Sequence, residues 1–285
     1  MIVWSDFPTG SHRARCPACA KERRADRTLG VTIHPDGTGV AHCYRCSLVL
    51  THRPTQAPRS PRPARPVRRP SPAPAPARPA PTTHPRLSAQ GLALWRDLLP
   101  TAGAALAYLH ARRCRIPPAD GHLRWHPRLR HPSGYTGPAL VGLITDAVTR
   151  EPLSLHRTWV QADGRKAEVD PPRLLLAGHR KQGGVIRLWP DEAVTTGLGV
   201  AEGIESALSL AWAFVPVWAC IDAGNLAALP VLDGIEALTI AADNDTAGQA
   251  AAQTCATRWA AAGRAVWVTR QRDNDLNDLV QGVAA

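Results

Sequence analysis

Leu198-Gly199-Val200-Ala201-Glu202-Gly203-Ile204-Glu205 and, further along, Ala237-Leu238-Thr239-Ile240-Ala241-Ala242-Asp243-Asn244-Asp245-Thr246-Ala247-Gly248 share one pattern. Each is an apolar run of strand length, then a cluster of acids, then a helical pattern. Apolar strands alternating with helices form a parallel sheet, and such sheets collect their ligands at the carboxyl ends of the strands. The reading extends to strand Leu198–Ala201, helix Glu205–Phe214, strand Val217–Ile221, a short helix near Leu226, strand Ala237–Ala241, helix Ala247–Ala262 and strand Ala265–Thr269. Right-handed crossovers are expected throughout. Glu202, Asp243 and Asp245 would then meet on one rim, where oxygen ligands suit a hard divalent cation such as Mg²⁺. Gly203 is expected to let the chain turn after its strand. Gly248 is expected to permit close approach at a helix start whose N–H groups suit phosphate. Asp245, just before Thr246-Ala247, also offers a helix N-cap, though the ligand role is the first expectation.

Towards the N-terminus, Ala139–Ile144, Leu153–Val160 and Val185–Leu188 have strand composition, separated by turn signals at Asp163-Gly164 and Gly183-Gly184. Leu87–Leu99 and Gly103–Arg113 read as amphipathic helices ahead of the breaker Pro117-Pro118. Residues 53–86 are rich in Pro, Arg and Ala and contain no acid. Proline removes the N–H and fixes φ, so an extended tether is expected, reaching ~3 Å per residue and on the order of 100 Å in all. The predicted division is therefore 1–52, 53–86, 87–195 and 196–285.

Residues 1–52 carry Cys16-Pro17-Ala18-Cys19 and Cys43-Tyr44-Arg45-Cys46, spaced C-x2-C-x23-C-x2-C. Four thiolates at this spacing suit tetrahedral Zn²⁺, and the intervening Gly30 to His42 reads as strand, turn at Asp36-Gly37, strand. A module this small, with few large apolar side chains, needs a staple. Arg13, Arg15, Lys21, Arg23, Arg24, Arg27 and Arg45 surround the knuckles, and His42 and Tyr44 offer rings for stacking on bases. Cys114, Cys220 and Cys255 are scattered through predicted core or helix, unlike a secreted disulfide framework.

Charge is divided along the chain. Residues 1–150 hold 23 basic against 7 acidic side chains, a net +16, whereas residues 151–285 hold 11 against 16, a net −5. The basic part suits a polyanion such as single-stranded nucleic acid, and the acidic part suits metal ions. Arginine outnumbers lysine 31 to 3, so codon bias also contributes to the amount of positive charge. No basic leader precedes an apolar stretch and no apolar run reaches the roughly 18–20 residues of a membrane helix, so a cytoplasmic protein with no membrane partner is expected.

Glu202-Gly203-x-Glu205, Asp243-x-Asp245 with Gly248, and Asp273-Asn274-Asp275-Leu276-Asn277-Asp278-Leu279 together resemble a Toprim domain. With the four-cysteine segment ahead of them, the whole chain except the linker resembles the Toprim-type DNA primases of bacteria, phages and plasmids. The resemblance implies an α/β protein with an N-terminal zinc ribbon, a Pro-rich linker and a primase-type core ending in a parallel Toprim sheet. It implies Glu202 as the catalytic glutamate and Asp243 and Asp245 as Mg²⁺ or Mn²⁺ ligands, with Glu205, Asp275 and Asp278 as further acids and Gly203 and Gly248 beside them. It also implies that Arg157, Lys166 and Arg173 grip template or incoming nucleotide, and that His42, Tyr44 and Arg45 serve the ribbon's contact with DNA. The pattern departs at Ser206, where the replicative bacterial primases carry an acid four residues after the first glutamate; here the acid is Glu205, one position earlier. The expected activity is primer synthesis from ribonucleoside triphosphates on single-stranded DNA. Alternatives are a Toprim nuclease and a non-catalytic recombination or loading protein. Topoisomerase chemistry needs a tyrosine nucleophile, and Tyr44, Tyr108 and Tyr135 stand in the ribbon, a predicted helix and a short loop. No G-x4-G-K-[ST] segment occurs, so any helicase would be a separate partner.

Overall fold

The computed structural model describes residues 2–19, 27–43, 45–46, 48–53, 83–269 and 275–282. It divides into two compact units, Met1–Arg78 and Pro79–Ala285. The expected tether falls, from residue 54 to 82, outside the described residues.

In the first unit β1 (Gly10–Ala14), β2 (Leu29–Ile33), β3 (Gly39–Cys43) and β4 (Val49–His52) form an antiparallel sheet in sequence order. The expected hairpin is β2–β3; β1 and β4 are additions to the sequence reading. Alternation sends Leu29, Val31, Ile33, Ala41 and Cys43 inward and leaves His42 exposed. The turn is closed by Asp36 Oδ1, which accepts from Thr38 N at 3.0 Å, and by Gly37 at φ +80°. Gly39 lets the Trp4 ring lie flat on β3, since a Cβ there would come within 2.7 Å of that ring. Apart from Trp4 and Phe7, the core holds only small aliphatic residues and cysteines.

The second unit opens with α1 (Ala89–Asp97), capped by Ser88 Oγ, then β5 (Leu99–Pro100) and α2 (Gly103–Ala111). A meander of β6 (Leu123–Arg130), β7 (Thr136–Asp146), β8 (Pro152–Trp159) and β9 (Arg173–Leu175) follows, and β10 (Gly184–Arg187) returns to pair with the end of β7. The alternating part comprises β11 (Gly197–Ala201), α3 (Ile204–Leu210), β12 (Val217–Ala219), α4 (Ala223–Ala228), β13 (Ala237–Ala241), α5 (Thr246–Ala261), β14 (Ala265–Val268) and α6 (Leu276–Gly282). All the strands belong to one ten-stranded sheet, whose main path runs β14-β13-β11-β12-β10-β7-β6-β5. The expected boundary at 195/196 runs through that sheet, because β10 and β12 pair antiparallel at Ile186↔Ala219 and Arg187↔Trp218.

Burial explains the layering. On one face Leu198, Val200, Leu238 and Ile240 pack with Leu226, Cys255 and Trp259 beneath α4 and α5. On the other, Ala201, Val217 and Ala241 pack with Tyr108, Leu109, Ile204 and Leu208 from α2 and α3. α3 stops at Leu210, short of the expected Phe214, because the chain must turn into β12 and Pro216 cannot continue a helix. β11 lies between β12 and β13, with Ala201 level with Ala219 on one side and Ala241 on the other. The strand order therefore reverses at β11, and the crevice beyond the ends of β11 and β13 is the topological switch point of this sheet.

Candidate active site and metal centres

Glu202 follows the last residue of β11, and Asp243 stands two residues past the end of the neighbouring β13. Burial, then Asp243, Asp245 and Asp222, push the Glu202 carboxyl up to about 8, partly offset by the Ala223 backbone N–H. Burial, then Asp275 and Asp245, push Asp243 up to about 7, with Asp278 adding to the repulsion. Among the described residues no cation pairs with Glu202 or Asp243. A cluster of carboxylates held together against their own repulsion has the electrostatics of a divalent-cation site.

Asp245 caps α5, its Oδ1 accepting from Gly248 N at 2.9 Å. Of the two open readings, the cap is the one these contacts show, and it leaves the second carboxylate oxygen over. Gly248 is required by space: a Cβ would lie 2.8 Å from Asp243 O and 2.9 Å from Asp243 Cβ. Its own N–H is taken by the cap. The expectation for Gly203 is corrected. It takes φ −101°, which any residue adopts, and a Cβ would meet nothing closer than 3.8 Å. A cavity of about 890 Å³ opens beside Asp243, lined by Asn244, Thr246, Gln249, Gln253 and Thr269 among others.

Asp222, three residues past the end of β12, was not singled out by the sequence reading, although it too follows a strand of the parallel sheet. Its Oδ1 accepts from Asn225 N at 2.9 Å as the cap of α4, and its Oδ2 pairs with Lys181 Nζ at 2.5 Å. Ile221 beside it takes φ +75° in a three-residue turn closed by Asp222 N on Cys220 O at 2.9 Å. For a β-branched residue that is a strained conformation. Asp275 Oδ1 caps α6 at Asp278 N, 2.8 Å away. Asn277 between them is fully buried, and its Nδ2 donates to Arg112 O at 2.6 Å and Ser209 Oγ at 3.0 Å, pinning α6 to α3. Asp273 lies outside the described residues.

Glu205 is engaged by side chains from outside the rim, a correction to its expected role as a free ligand. Its side chain is 8% exposed, its Oε1 accepts from Tyr108 Oη at 2.5 Å, and it is ion-paired with Arg173. Burial alone would raise this carboxyl, but Arg173 and Lys166, with the Tyr108 hydrogen bond, hold it well below the usual range. Burial, then Arg173, bring the half-buried Lys166 amine down to about 8. A cavity of about 360 Å³ lies alongside, lined by Tyr108, Arg112, Asp163, Arg165, Lys166 and Gln281 among others. Arg157 is a further correction: it is buried, donates from Nη2 to Leu175 O at 2.9 Å and lies over the Trp159 ring, so its guanidinium ties β8 to β9 instead of facing a ligand. The adjacent His156 is buried and pushed down to about 3, first by burial and then by Arg173, so it is neutral.

In the first unit the Sγ atoms of Cys16, Cys19, Cys43 and Cys46 lie within 4.8 Å of one another, at 3.6 Å for Cys16–Cys46 and 3.5 Å for Cys19–Cys43. Four sulfurs at ~2.3 Å from a central tetrahedral ion would stand ~3.8 Å apart, so the cluster has the size of a metal centre. Arg45 N donates to Cys43 Sγ at 3.4 Å, and Arg45 Nη1 reaches back to Cys19 O at 3.0 Å, bracing one knuckle on the other. Burial would raise the Cys43 thiol, but the Cys46 and Arg45 backbone N–H groups bring it to about 6. Tyr44 lies outside the described residues, as do Lys21, Arg23 and Arg24.

The Toprim family model matches residues 197–285, the segment whose strand ends carry these acids. Residues 197–285 are a Toprim domain. The segment before it, residues 85–188, matches a domain of unknown function, DUF7146. No curated protein matches the chain in sequence. Among solved structures, the chain is similar to the primase fragment of the bacteriophage T7 primase-helicase protein, at 14% identity and TM-score 0.42, over 94% of this chain and 93% of that one. It is also similar to the zinc-binding and RNA polymerase domains of the Aquifex aeolicus primase, at 11% identity and TM-score 0.44, over 96% and 76%. A DNA primase domain from Pseudomonas aeruginosa is similar at 14% identity and TM-score 0.43, over 67% and 73%. Among the described residues no helix is long and apolar enough to cross a membrane.

Proposed function

We propose that this protein is a DNA primase, joining ribonucleoside triphosphates on single-stranded DNA. The observation that carries the reading is that Glu202, Asp243 and Asp245 stand at the switch point of a Toprim sheet, none of them with a cationic partner among the described residues. Hard oxygen donors on one open rim fit Mg²⁺ or Mn²⁺, which retain waters and need no closed cage. Bound there, the metal supplies Lewis acidity for in-line attack of a 3′-hydroxyl on an α-phosphate and neutralises charge on the departing pyrophosphate. Glu202 and Asp243 hold that charge in place. The polar cavity beside Asp243 has room for a nucleotide. Lys166, which lines the separate cavity by Tyr108, and Arg173 would supply cations for phosphates on that side. The four thiols would hold Zn²⁺ as the staple of the ribbon. Exposed His42 with Arg45, and Tyr44 from the sequence, would meet template. A replicative helicase is a partner that this reading admits, and a cytoplasmic setting follows from it.

Incorporation of labelled ribonucleotides on circular, unprimed single-stranded DNA with Mg²⁺ or Mn²⁺ tests it. New short products support the primase. Metal-dependent shortening of a linear template without product would favour a nuclease, and binding alone a loading protein.

A further inference from the structure

Successive residues of a helix point about 100° apart, so Glu205 and Ser206 cannot serve the same side of α3. Ser206 is the one turned to the rim, its Oγ 3.5 Å from Asp243 Oδ1. Glu205 has its Oε1 held by two side chains from outside the Toprim segment, Tyr108 of α2 and Arg173 of β9, while its Oε2 comes within 3.8 Å of the place a Cβ would take on Gly203. Its backbone carbonyl is engaged as well, accepting from Ser209 Oγ at 2.9 Å. To ligate a cation, this carboxylate would have to leave both partners and strand Arg173 without its counter-charge, a costly exchange in a buried site. Arg173 reaches solvent as well: its side chain is 37% exposed, although its Nε is buried. Lys166 lies in the same field, with Glu205 the buried acid that balances it.

Building on the nucleotide-joining reading, we infer that Glu205 is a positioning residue and not a metal ligand: it holds Arg173, and with it Lys166, as a fixed cationic pair for the phosphates of a nucleotide at the adjoining rim. The carboxylate orients the guanidinium through a charge-assisted bond, and the Tyr108 hydroxyl fixes the carboxylate.

The test uses the full-length, zinc-loaded protein and two probes, Mn²⁺ followed by electron paramagnetic resonance and ATP followed by equilibrium binding. E202Q and D243N should each weaken Mn²⁺ binding about tenfold or more, whereas E205Q should leave it within about threefold. E205Q and R173Q should each weaken ATP binding about tenfold, and E205Q/R173Q should be no worse than R173Q alone, the non-additivity of two residues acting as one unit. Loss of Mn²⁺ in E205Q equal to that in D243N, or additive losses of ATP binding, would overturn the inference. Should E205Q fail to fold, E205Q/R173Q, which removes both charges together, carries the Mn²⁺ comparison with the same two outcomes. Wild-type protein that binds Mn²⁺ but not ATP would remove the nucleotide reading and the phosphate role of Arg173, while the Mn²⁺ comparison would still decide whether Glu205 is a ligand.

Discussion

The ribbon and the Toprim-bearing body treat their candidate metal centres in opposite ways. In the ribbon, Cys16 and Cys43 are themselves part of the core, alongside Leu29, Val31 and Ala41. In the body, Leu198, Val200, Leu238, Ile240 and Trp259 close a core of their own, and the acids stand on its rim. A metal in the first place is a structural element; in the second it is a guest whose site is held ready. Thiols that fold around an ion gain their order from it. Carboxylates that repel one another are tolerated only because a sound scaffold holds them.

The largest expected effect separates the two directly. Removing zinc with a strong chelator should unfold the ribbon, since binding energy on the order of 10 kcal/mol is folding energy there, and should leave the body's melting transition in place. Amide exchange read by mass spectrometry checks it: protection should vanish over β2 and β3 and persist over β11 and β13. A chelated ribbon that keeps its protection would remove the distinction, as would full zinc occupancy in a Cys43→Ser, Cys46→Ser variant.

Next comes the contrast between two glycines of the rim. Gly248→Ala drives a Cβ into the Asp243 backbone and should cost about 1–2 kcal/mol net of the helix propensity gained. Gly203→Ala, with open space and an ordinary φ, should stay within about 0.5 kcal/mol. Urea denaturation of the two variants decides; equal losses would mean that the rim is less closely packed than these contacts require.

The smallest effect is in pH. Glu202 and Asp243 titrate at about 8 and 7 in the folded, metal-free body against ordinary values of 4.5 and 3.8. The folded state thus holds protons that the unfolded chain has released, a contribution fully present below the ordinary values and lost as pH rises through 7 and 8. His122 and His156, at about 4 and 3 in the folded body, oppose this only while the unfolded imidazoles still lose protons around their ordinary 6.5, and Lys166, at about 8, opposes it at the upper edge, so the fall is reduced but not reversed. Between pH 6.5 and 8 the body's melting temperature should fall by about 2–4 °C without metal. Mg²⁺ should restore it, and D243N should flatten the slope. A rising slope in the wild type would contradict the repulsion on which the guest site depends.

What the sequence made legible follows the same line. Strand Ala237–Ala241 was readable to the residue and helix Ala247–Ala262 to within one, because their apolar spacing and Asp245 cap are local signals. β6 was not, since Pro127 and the alternating arginines disguise a strand that accommodates the proline at a register shift between His126 and Leu129. The rim acids were legible because each follows its own strand. The place of Glu205 was not, because its partners lie 97 and 32 residues away and only the packing of α2 and β9 brings them to it. Arg157 misled for the same reason: a basic residue in a strand gives no sign of whether it faces a ligand or the carbonyl of the next strand.

The most direct test of the account is the rate of dinucleotide formation by D243N on unprimed single-stranded DNA, with template affinity and melting temperature measured on the same preparation. If charge at the rim supplies about 4 kcal/mol of barrier lowering, the rate should fall about a thousandfold while affinity and stability hold. Synthesis within a few-fold of the wild type, by a folded protein that binds template normally, would contradict it.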